Sequence, residues 1–162
     1  MYKRATQRIT TIGLFLVLST VMVPNLWAEE EKVQIQWLSY EKGLALAKET
    51  GKPVLVNFTA DWCRYCHMMK KETYSKPAVI SYVNEHYVPV KVDTQRDQAT
   101  AARYYVRSIP VIWFLSSDGE KITSLPGYVD APNFLKVLSF IATEAYLTMD
   151  FQSYLKSHTE ES

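Results

Sequence analysis

The residues best suited to chemistry in this chain are its two cysteines, Cys63 and Cys66. If a helix begins at the first of them, both sulfurs lie in its first turn, close enough to form a small disulfide ring. The N-terminus of a helix offers unpaired N–H groups and a partial positive charge, which stabilise a thiolate. We therefore predict that Cys63 is an exposed, attacking thiolate. Cys66, one turn deeper, would be the resolving thiol of a disulfide exchange that passes through a mixed disulfide.

The composition of the 162-residue chain argues against several other functions. Two cysteines are too few for a disulfide framework or for a zinc site of four thiolates, so no metal site is predicted. The net charge is only +1 and no basic stripe follows the first few residues, so nucleic acid is not an expected partner. A non-enzymatic metal-binding or chaperone module is a further alternative, although Cys63, Cys66 and His67 would make a cramped ligand set on one helical turn.

A haem protein is the sharpest alternative, because residues 63–67 read Cys-Arg-Tyr-Cys-His and match the attachment signature of c-type cytochromes. A six-coordinate haem also needs a distal methionine or histidine. The two methionines after the motif lie on the same predicted helix, which leaves only His86, Met149 and His158 as distal ligands. We therefore expect no cofactor and keep haem attachment as an alternative.

The first residues of the chain predict export. A positively charged start precedes a short apolar stretch, Ile12–Val23, and the small residue Ala28 comes directly before three glutamates. This order is typical of a secretory signal peptide over residues 1–28. The stretch is shorter than the roughly 20 residues that a membrane-spanning helix needs. The large Leu26 near the cleavage site keeps an uncleaved, anchoring signal as an alternative. A periplasmic location would let a disulfide persist, which favours a redox pair.

The cysteine pair must be positioned by a strand that leads into a helix, and the sequence predicts both. Val54–Phe58 is a short apolar run typical of a buried central strand. The loop 59–62 joins it to a helix predicted from Cys63 to about Glu72.

The rest of the chain predicts a mixed α/β arrangement. Alternating residues over 33–38 predict a strand, and a helix over 40–50, with Leu46 among its inward residues, is ended by Gly51. Further predicted elements are helices over 78–86 and 97–105 and from Asp130 onward, strands over 87–92, 111–115 and 121–125, and a helical extension carrying Leu147, Phe151, Tyr154 and Leu155. The order places parallel strands first and an antiparallel hairpin last, so the predicted fold is a mixed central sheet flanked by helices.

Two separated motifs resemble the thioredoxin superfamily. Residues 58–66 read Phe-Thr-Ala-Asp-Trp-Cys-Arg-Tyr-Cys, and residues 108–110 read Ser-Ile-Pro. Together with Thr-Tyr-Ser-Lys-Pro at 73–77, the first motif is most similar to the periplasmic C-terminal thioredoxin-like domain of the Dsb transmembrane electron transporter and to related exported proteins. The resemblance covers about residues 36–142 and implies a thioredoxin-like fold.

The resemblance also implies roles for the residues around the cysteines. Trp62 would flank and shield the attacking sulfur, with Arg64 and Tyr65 completing the site between the two cysteines. Pro110 matches the family's cis-proline, and the backbone of Ile109 would pair with a bound substrate strand. A loop glycine, Gly127 in this chain, lets a partner chain approach.

Two positions depart from the family pattern. Asn57 stands where many relatives carry a buried aspartate that accepts the resolving cysteine's proton, and an amide cannot titrate. Lys70 stands where the transporter domain has an acid. With Arg64, His67 and Lys71 it makes the active-site helix basic, which would lower a thiolate pKa and favour the reduced form. A solvated helix face is the alternative interpretation for the lysines.

These observations predict an exported thiol–disulfide oxidoreductase that reduces disulfides of periplasmic proteins through its dithiol. A disulfide oxidase of the same fold is the alternative, because Arg64 favours the oxidising direction. The expected partners are protein disulfide substrates and a membrane electron donor of the Dsb type, and the protein is expected to be a monomer. The predicted divisions are a signal peptide at 1–28, a thioredoxin-like domain at 29–145 and a C-terminal helical extension at 146–162.

Overall fold

A computed structural model describes residues 33–159, and the predicted signal peptide at 1–28 lies outside them. Within residues 33–159 no helix has the length and apolar character needed to cross a membrane. A π-helical turn at Met69–Thr73 and a 3₁₀ turn at Ala145–Leu147 accompany the regular elements. These are α1 (Tyr40–Thr50), β1 (Val54–Thr59), α2 (Arg64–Met68), α3 (Pro77–His86), β2 (Val88–Asp93), α4 (Gln98–Arg103), β3 (Val111–Leu115), β4 (Lys121–Pro126), α5 (Ala131–Ala142) and α6 (Phe151–Thr159).

The four strands form one sheet in the order β2-β1-β3-β4, and its mixed character with an antiparallel hairpin last confirms the prediction. β1 pairs parallel with β2 and antiparallel with β3, and β3 and β4 form the antiparallel hairpin. Because β1 is central, its side chains are buried on both faces of the sheet. Leu55 packs in the cluster that contains α3 and α5, whereas Val54, Val56 and Phe58 pack in the cluster that contains α1 and α4.

The strand predicted over 33–38 was wrong, because only Leu38 makes a bridge, to Val90 of β2. Before that bridge, the side chain of Asn84 on α3 forms hydrogen bonds with backbone groups that a strand partner would otherwise pair. Its Oδ1 accepts the N–H of Gln36 at 3.1 Å, and its Nδ2 donates to the Gln34 carbonyl at 2.9 Å. A side chain that satisfies the backbone groups in this way competes with a strand ladder.

α1 lies close to the sheet because its buried positions are small. The inward placement predicted for Leu46 was wrong, since this side chain is 38% exposed, whereas Gly43 and Ala47 are buried. A Cβ atom added to Gly43 would lie 2.1 Å from Cγ2 of Val90. The absence of a side chain at Gly43 therefore permits the contact between α1 and β2. Gly51, with a φ of 72°, ends the helix as predicted.

The C-terminal extension packs on the domain. Tyr154 is buried, its hydroxyl lies 2.7 Å from that of Ser139 on α5, and its ring centroid lies 5.2 Å from that of Phe140. Phe151 contacts the same phenylalanine at 5.3 Å. Leu147 remains exposed, because it belongs to the 3₁₀ turn before α6 rather than to the helix itself. Three of the four apolar residues predicted for the helical extension therefore lie within α6. The predicted boundary between the domain and the extension, at residues 145 and 146, stays a prediction.

We predict that Gly43→Ala destabilises the protein even though alanine is the better helix former. Overlap with Val90 should cost about 1–3 kcal/mol, which exceeds the gain of about 1 kcal/mol in helix propensity. Urea unfolding would measure the difference. Ala45→Gly at an exposed position of the same helix isolates the propensity effect, and a Gly43→Ala protein at least as stable as the parent would contradict the close contact.

Candidate active site

Cys63 and Cys66 are joined in a disulfide at the point where β1 hands over to α2, with an S–S distance of 2.10 Å and a Cα–Cα distance of 5.2 Å. A turn over 61–62 follows the strand, and the Cys63 N–H donates to the carbonyl of Ala60 at 3.1 Å. The predicted proximity of the two sulfurs is therefore confirmed. The arrangement follows from a central strand that ends one turn before a helix begins.

Cys63 occupies the N-cap position of α2, and its sulfur accepts the backbone N–H of Cys66 at 3.1 Å. This N–H is one of the groups that a helix leaves unpaired in its first turn. A hydrogen bond to the sulfur stabilises its charged form, as does the positive end of the helix. The geometry thus distinguishes the two sulfurs, because the Cys63 sulfur accepts this N–H at the start of the helix.

The prediction that Cys63 is exposed was wrong for the disulfide-bonded protein. Cys63 is 3% exposed and Cys66 8% exposed. The Cys63 side chain folds back over the first helical turn to meet both the sulfur and the N–H of Cys66, which removes it from solvent. The exposed residues of the motif are its neighbours instead: Trp62 at 68% and Tyr65 at 57%, together with Arg64.

The residues predicted to face the cysteines lie at the same edge of the sheet. The strand register pairs Phe58 near the end of β1 with Val111, and Val111 with Pro126 of β4. Pro110 comes directly before Val111, and Gly127 comes directly after Pro126. The Gly127 N–H donates to the Pro110 carbonyl at 2.8 Å. The peptide bond from Ile109 to Pro110 is cis, as the family resemblance implied.

The sequence predicted a regular helix from Cys63 to about Glu72, and this prediction was wrong in its second half. The helix changes to a π-helical turn over 69–73, which the Tyr74 N–H closes with a 2.8 Å hydrogen bond to the Met69 carbonyl. Met69 is fully buried, and this turn presents Glu72 and Thr73 to the loop after β4.

Two hydrogen bonds join the π-helical turn to that loop. Thr73 donates its hydroxyl to the Val129 carbonyl at 2.6 Å, and the Tyr128 hydroxyl donates to Oε2 of Glu72 at 2.9 Å. The bond to the carboxylate raises the pKa of Tyr128. Neither contact was found from the sequence, since the two segments are 56 residues apart and a regular helix was expected. They hold the loop that contains Gly127 against the active-site helix.

Asn57 lies in β1 and is 6% exposed, as the alternation of the strand predicted. It is opposite Lys91 in the parallel register and on the same face as Leu55. The side-chain amide of Asn57 makes no hydrogen bond within residues 33–159. The position therefore carries a buried but neutral polar group. This avoids the cost of a buried charge and also supplies no acid or base.

A cleft of about 690 Å³ lies beside Cys66, and Asn57 is among its lining residues. Its lining also includes two basic residues, Lys70 and Lys91, and two aromatic residues, Trp37 and Tyr74. The Tyr74 hydroxyl is buried without a hydrogen-bond partner in the described part of the chain, and burial raises the pKa of this hydroxyl. The cleft brings together the two positions that depart from the family pattern, residues 57 and 70.

The geometry does not favour haem attachment. The two sulfurs are bonded to each other, an arrangement in which neither is free to form a thioether bond. The ring of His67 donates from Nε2 to the Asp61 carbonyl at 2.7 Å. Among residues 33–159, no three histidine, cysteine or acidic side chains are grouped to hold a metal ion.

Comparison with known proteins agrees with this geometry. The sequence profile of the Thioredoxin-like domain matches residues 40–142. The chain is 32% identical over 108 residues to the thiol:disulfide interchange protein DsbD of Vibrio vulnificus. That match covers 63% of this chain but only 18% of the relative, so the chain spans a small part of the relative's length.

Two solved structures are similar over most of their own length. A thioredoxin from Thermus thermophilus is 29% identical with a TM-score of 0.62, over 67% of this chain and 87% of that one. The C-terminal domain of Neisseria meningitidis DsbD in its oxidised form is also 29% identical, with a TM-score of 0.53, over 61% of this chain and 89% of that one.

We predict that the pKa of the reduced Cys63 thiol lies below that of a free cysteine. A Cys66→Ser variant leaves a single thiol and keeps the backbone N–H at position 66 that the sulfur accepts. Thiolate absorbance or the alkylation rate against pH would measure the pKa. Arg64→Gln should raise the pKa, because the guanidinium stabilises the thiolate, whereas Lys48→Gln on the exposed face of α1 serves as the control. Titration of Cys63 like a free thiol would show that neither the N–H nor the basic residues act on it.

Proposed function

Because the chain belongs to the thioredoxin-like family, we propose that it is a thiol–disulfide oxidoreductase that reduces protein disulfides outside the cytosol. The observation that carries this proposal is the Cys63–Cys66 disulfide with the Cys63 sulfur on the N–H of Cys66. The family membership and the shared sheet edge with the cis Ile109–Pro110 bond support it.

The reaction consists of two thiolate attacks. The Cys63 thiolate attacks one sulfur of a substrate disulfide, forms a mixed disulfide and releases the first substrate thiolate. The Cys66 thiol loses its proton and attacks the Cys63 sulfur, which releases the second substrate thiolate. Two electrons have then passed to the substrate, and the protein has reached the disulfide-bonded state described above.

The substrate would approach along the edge that carries Trp62, Ile109 and Gly127. Trp62 and Tyr65 are exposed aromatic residues next to the disulfide, suited to contact with an unfolded or extended chain. The backbone N–H and C=O of Ile109 have no hydrogen-bond partner among the residues described, so they are available to an added substrate strand. Gly127, with a φ of 85°, leaves the opposite side of this approach without a side chain.

The proton of Cys66 must leave without a buried carboxylate. Asp61 does not replace one, because its side chain is 83% exposed and lies 3.6 Å from the guanidinium of Arg96. Asn57 is neutral, so the proton would pass to solvent in the adjoining cleft, where Lys70 and Lys91 are also present.

The proposed cellular location and partners are inferred from the relatives and from the predicted signal peptide. The division into residues 1–28, 29–145 and 146–162 remains part of this proposal, as do a periplasmic location, a membrane electron donor of the Dsb type and a monomeric state. The named relative is a thiol:disulfide interchange protein, which fits both donors and acceptors of electrons.

An oxidase of the same fold is the second candidate, because Arg64 is exposed between the two cysteines and would stabilise the reduced form. The reduction potential against glutathione separates the two directions. A value near that of thioredoxin, about −270 mV, fits a reductase, whereas a value near that of DsbA, about −120 mV, fits an oxidase. Failure to exchange with glutathione at all would contradict both.

We predict that Cys66→Ser traps mixed disulfides with substrate proteins and that Cys63→Ser traps almost none. In the first variant the attacking thiolate remains but nothing resolves the adduct. In the second, the remaining thiol lacks the hydrogen bond that the Cys63 sulfur accepts. Non-reducing electrophoresis of both variants, expressed at equal levels, would show the adducts. Equal trapping would refute the assignment of roles.

We also predict that Asn57→Asp speeds the resolution of the mixed disulfide near neutral pH and lowers stability. A buried carboxyl acts as a base for the Cys66 proton, but burial raises its folded-state pKa above the unfolded value. The stability loss is therefore absent below the unfolded pKa and grows as pH rises through the unfolded pKa towards the folded one.

Stopped-flow reduction of a model disulfide and melting curves at several pH values would measure both effects of Asn57→Asp. Asn57→Leu provides a control of similar size without a titratable group. Resolution that is no faster, with an unchanged pH profile, would show that the proton already leaves readily through solvent.

A further inference from the structure

The loop over residues 105–109 carries Ile109, and hydrogen bonds do not hold its last three residues. Within residues 33–159, Arg107, Ser108 and Ile109 neither donate nor accept a hydrogen bond. The side chain of Ile109 packs partly against the apolar cluster that contains α1 and α4. Apolar contacts are not directional, so they do not fix the orientation of a backbone group. The direction in which the N–H and C=O of Ile109 point therefore depends on how the two ends of the loop are held.

Both ends of this loop converge on the ammonium group of Lys121, the first residue of β4. At the start of the loop, Nζ of Lys121 lies 4.6 Å from the ring centroid of Tyr104 and 5.7 Å from that of Tyr105. After the loop, it lies 5.2 Å from the ring centroid of Trp113 in β3. It also donates a hydrogen bond at 3.1 Å to the carbonyl of Arg103, where α4 ends. Because a cation is attracted to the face of an aromatic ring at such distances, one side chain connects the two ends of the loop.

The backbone of Tyr105 shows that a tyrosine at this position has a steric cost. Its φ is 51°, in the left-handed region, and its side chain is 80% exposed. The N–H of Tyr105 donates to the Ala102 carbonyl at 3.0 Å, and the N–H of Val106 donates to the Ala101 carbonyl at 3.1 Å. Helices that end with this pair of bonds usually have glycine at the left-handed position, because glycine adopts it without a clash. The contact between its ring and Lys121 gives a reason for tyrosine instead.

We propose that Lys121 is a positioning residue for substrate binding, and the inference rests on the proposed disulfide exchange. Lys121 draws the rings of Tyr105 and Trp113 together, and this fixes the loop so that the backbone of Ile109 pairs with an extended strand of a protein substrate. β4 rises about 3.3 Å per residue, which puts Lys121 about 20 Å from Gly127 at the other end of the strand. Lys121 therefore acts through the loop and not by contact with the substrate.

The first experiment compares a protein disulfide with a small disulfide that has no backbone to pair. The substrates are insulin and hydroxyethyl disulfide, with dithiothreitol as the source of electrons. Lys121→Met keeps the length of the side chain and removes its charge. We expect its KM for insulin to rise on the order of fivefold with little change in kcat, and its rate with hydroxyethyl disulfide to change by less than about twofold. An unchanged KM for insulin, or equal slowing towards both disulfides, would overturn the proposal.

Two further lysine variants separate the position of the charge from the charge itself. Lys121→Arg keeps a cation against the rings and should restore most of the parent KM for insulin. Lys48→Met, on the exposed face of α1, removes the same charge elsewhere and should keep the parent KM. The positioning role would be refuted if Lys121→Arg were as impaired as Lys121→Met, or if Lys48→Met raised the KM equally.

Substitutions at Tyr105 separate its ring from its backbone conformation. Tyr105→Gly suits the left-handed position better but removes the ring, so we expect the KM for insulin to rise several-fold. Tyr105→Phe keeps the ring and should behave like the parent. When Tyr105→Gly is combined with Lys121→Met, the two effects should not add, because both changes break the same interaction. A parent KM in Tyr105→Gly, or additive effects in the double variant, would argue decisively against the contact.

The parent protein keeps this inference apart from the proposed function. If the parent reduces neither insulin nor hydroxyethyl disulfide, the proposed function fails, and the inference fails with it. If the parent reduces both and the variants at Lys121 and Tyr105 keep its KM for insulin, only the positioning role is refuted. Urea unfolding shows whether each variant is folded, and the 80% exposure of Tyr105 supplies a variant that removes no buried side chain.

Discussion

The hydrogen bond from the Cys66 N–H to the Cys63 sulfur is the interaction on which the rest of the site depends. It requires Cys63 to stand at the N-cap of α2, and that position requires β1 to end one short turn earlier. β1 in turn is held in place from both sides, by parallel pairing with β2 and antiparallel pairing with β3. The central strand is therefore what gives two chemically identical side chains different properties.

The same strand explains why the site can do without a buried acid. A residue at position 57 is only 6% exposed, so a charge there would lose most of its hydration. The neutral amide avoids this cost, and the adjoining cleft brings solvent and two lysines close to the resolving cysteine. In the proposed reaction, stability of the central strand and proton transfer from Cys66 are thus separated between the core and the cleft.

Apolar runs and turn residues in the sequence predicted the mixed sheet, because these signals act locally. The spacing of the two cysteines predicted the disulfide pair for the same reason. The errors lie where a distant contact overrides a local preference. Asn84 replaces strand pairing upstream of Leu38, and the close approach of Gly43 to Val90 turns the helix so that Leu46 faces outward. The exposure predicted for Cys63 was wrong for the disulfide-bonded protein, and the pairing of Arg96 with Asp61 joins two loops that meet only in the folded chain.

The π-helical turn at Met69–Thr73 has a consequence for how the chain tolerates changes in length. A π-turn holds one residue more than an α-helical turn of the same rise, so it accommodates an inserted residue without rotating what lies on either side. Deleting one residue between 69 and 73 would let this segment close as a regular α-helix, with α2 and the cysteines kept in place. The cost would fall on the two hydrogen bonds to the loop at 128–129. Insertions and deletions at this point would therefore alter how the loop beside Gly127 is held, while leaving the cysteine pair intact.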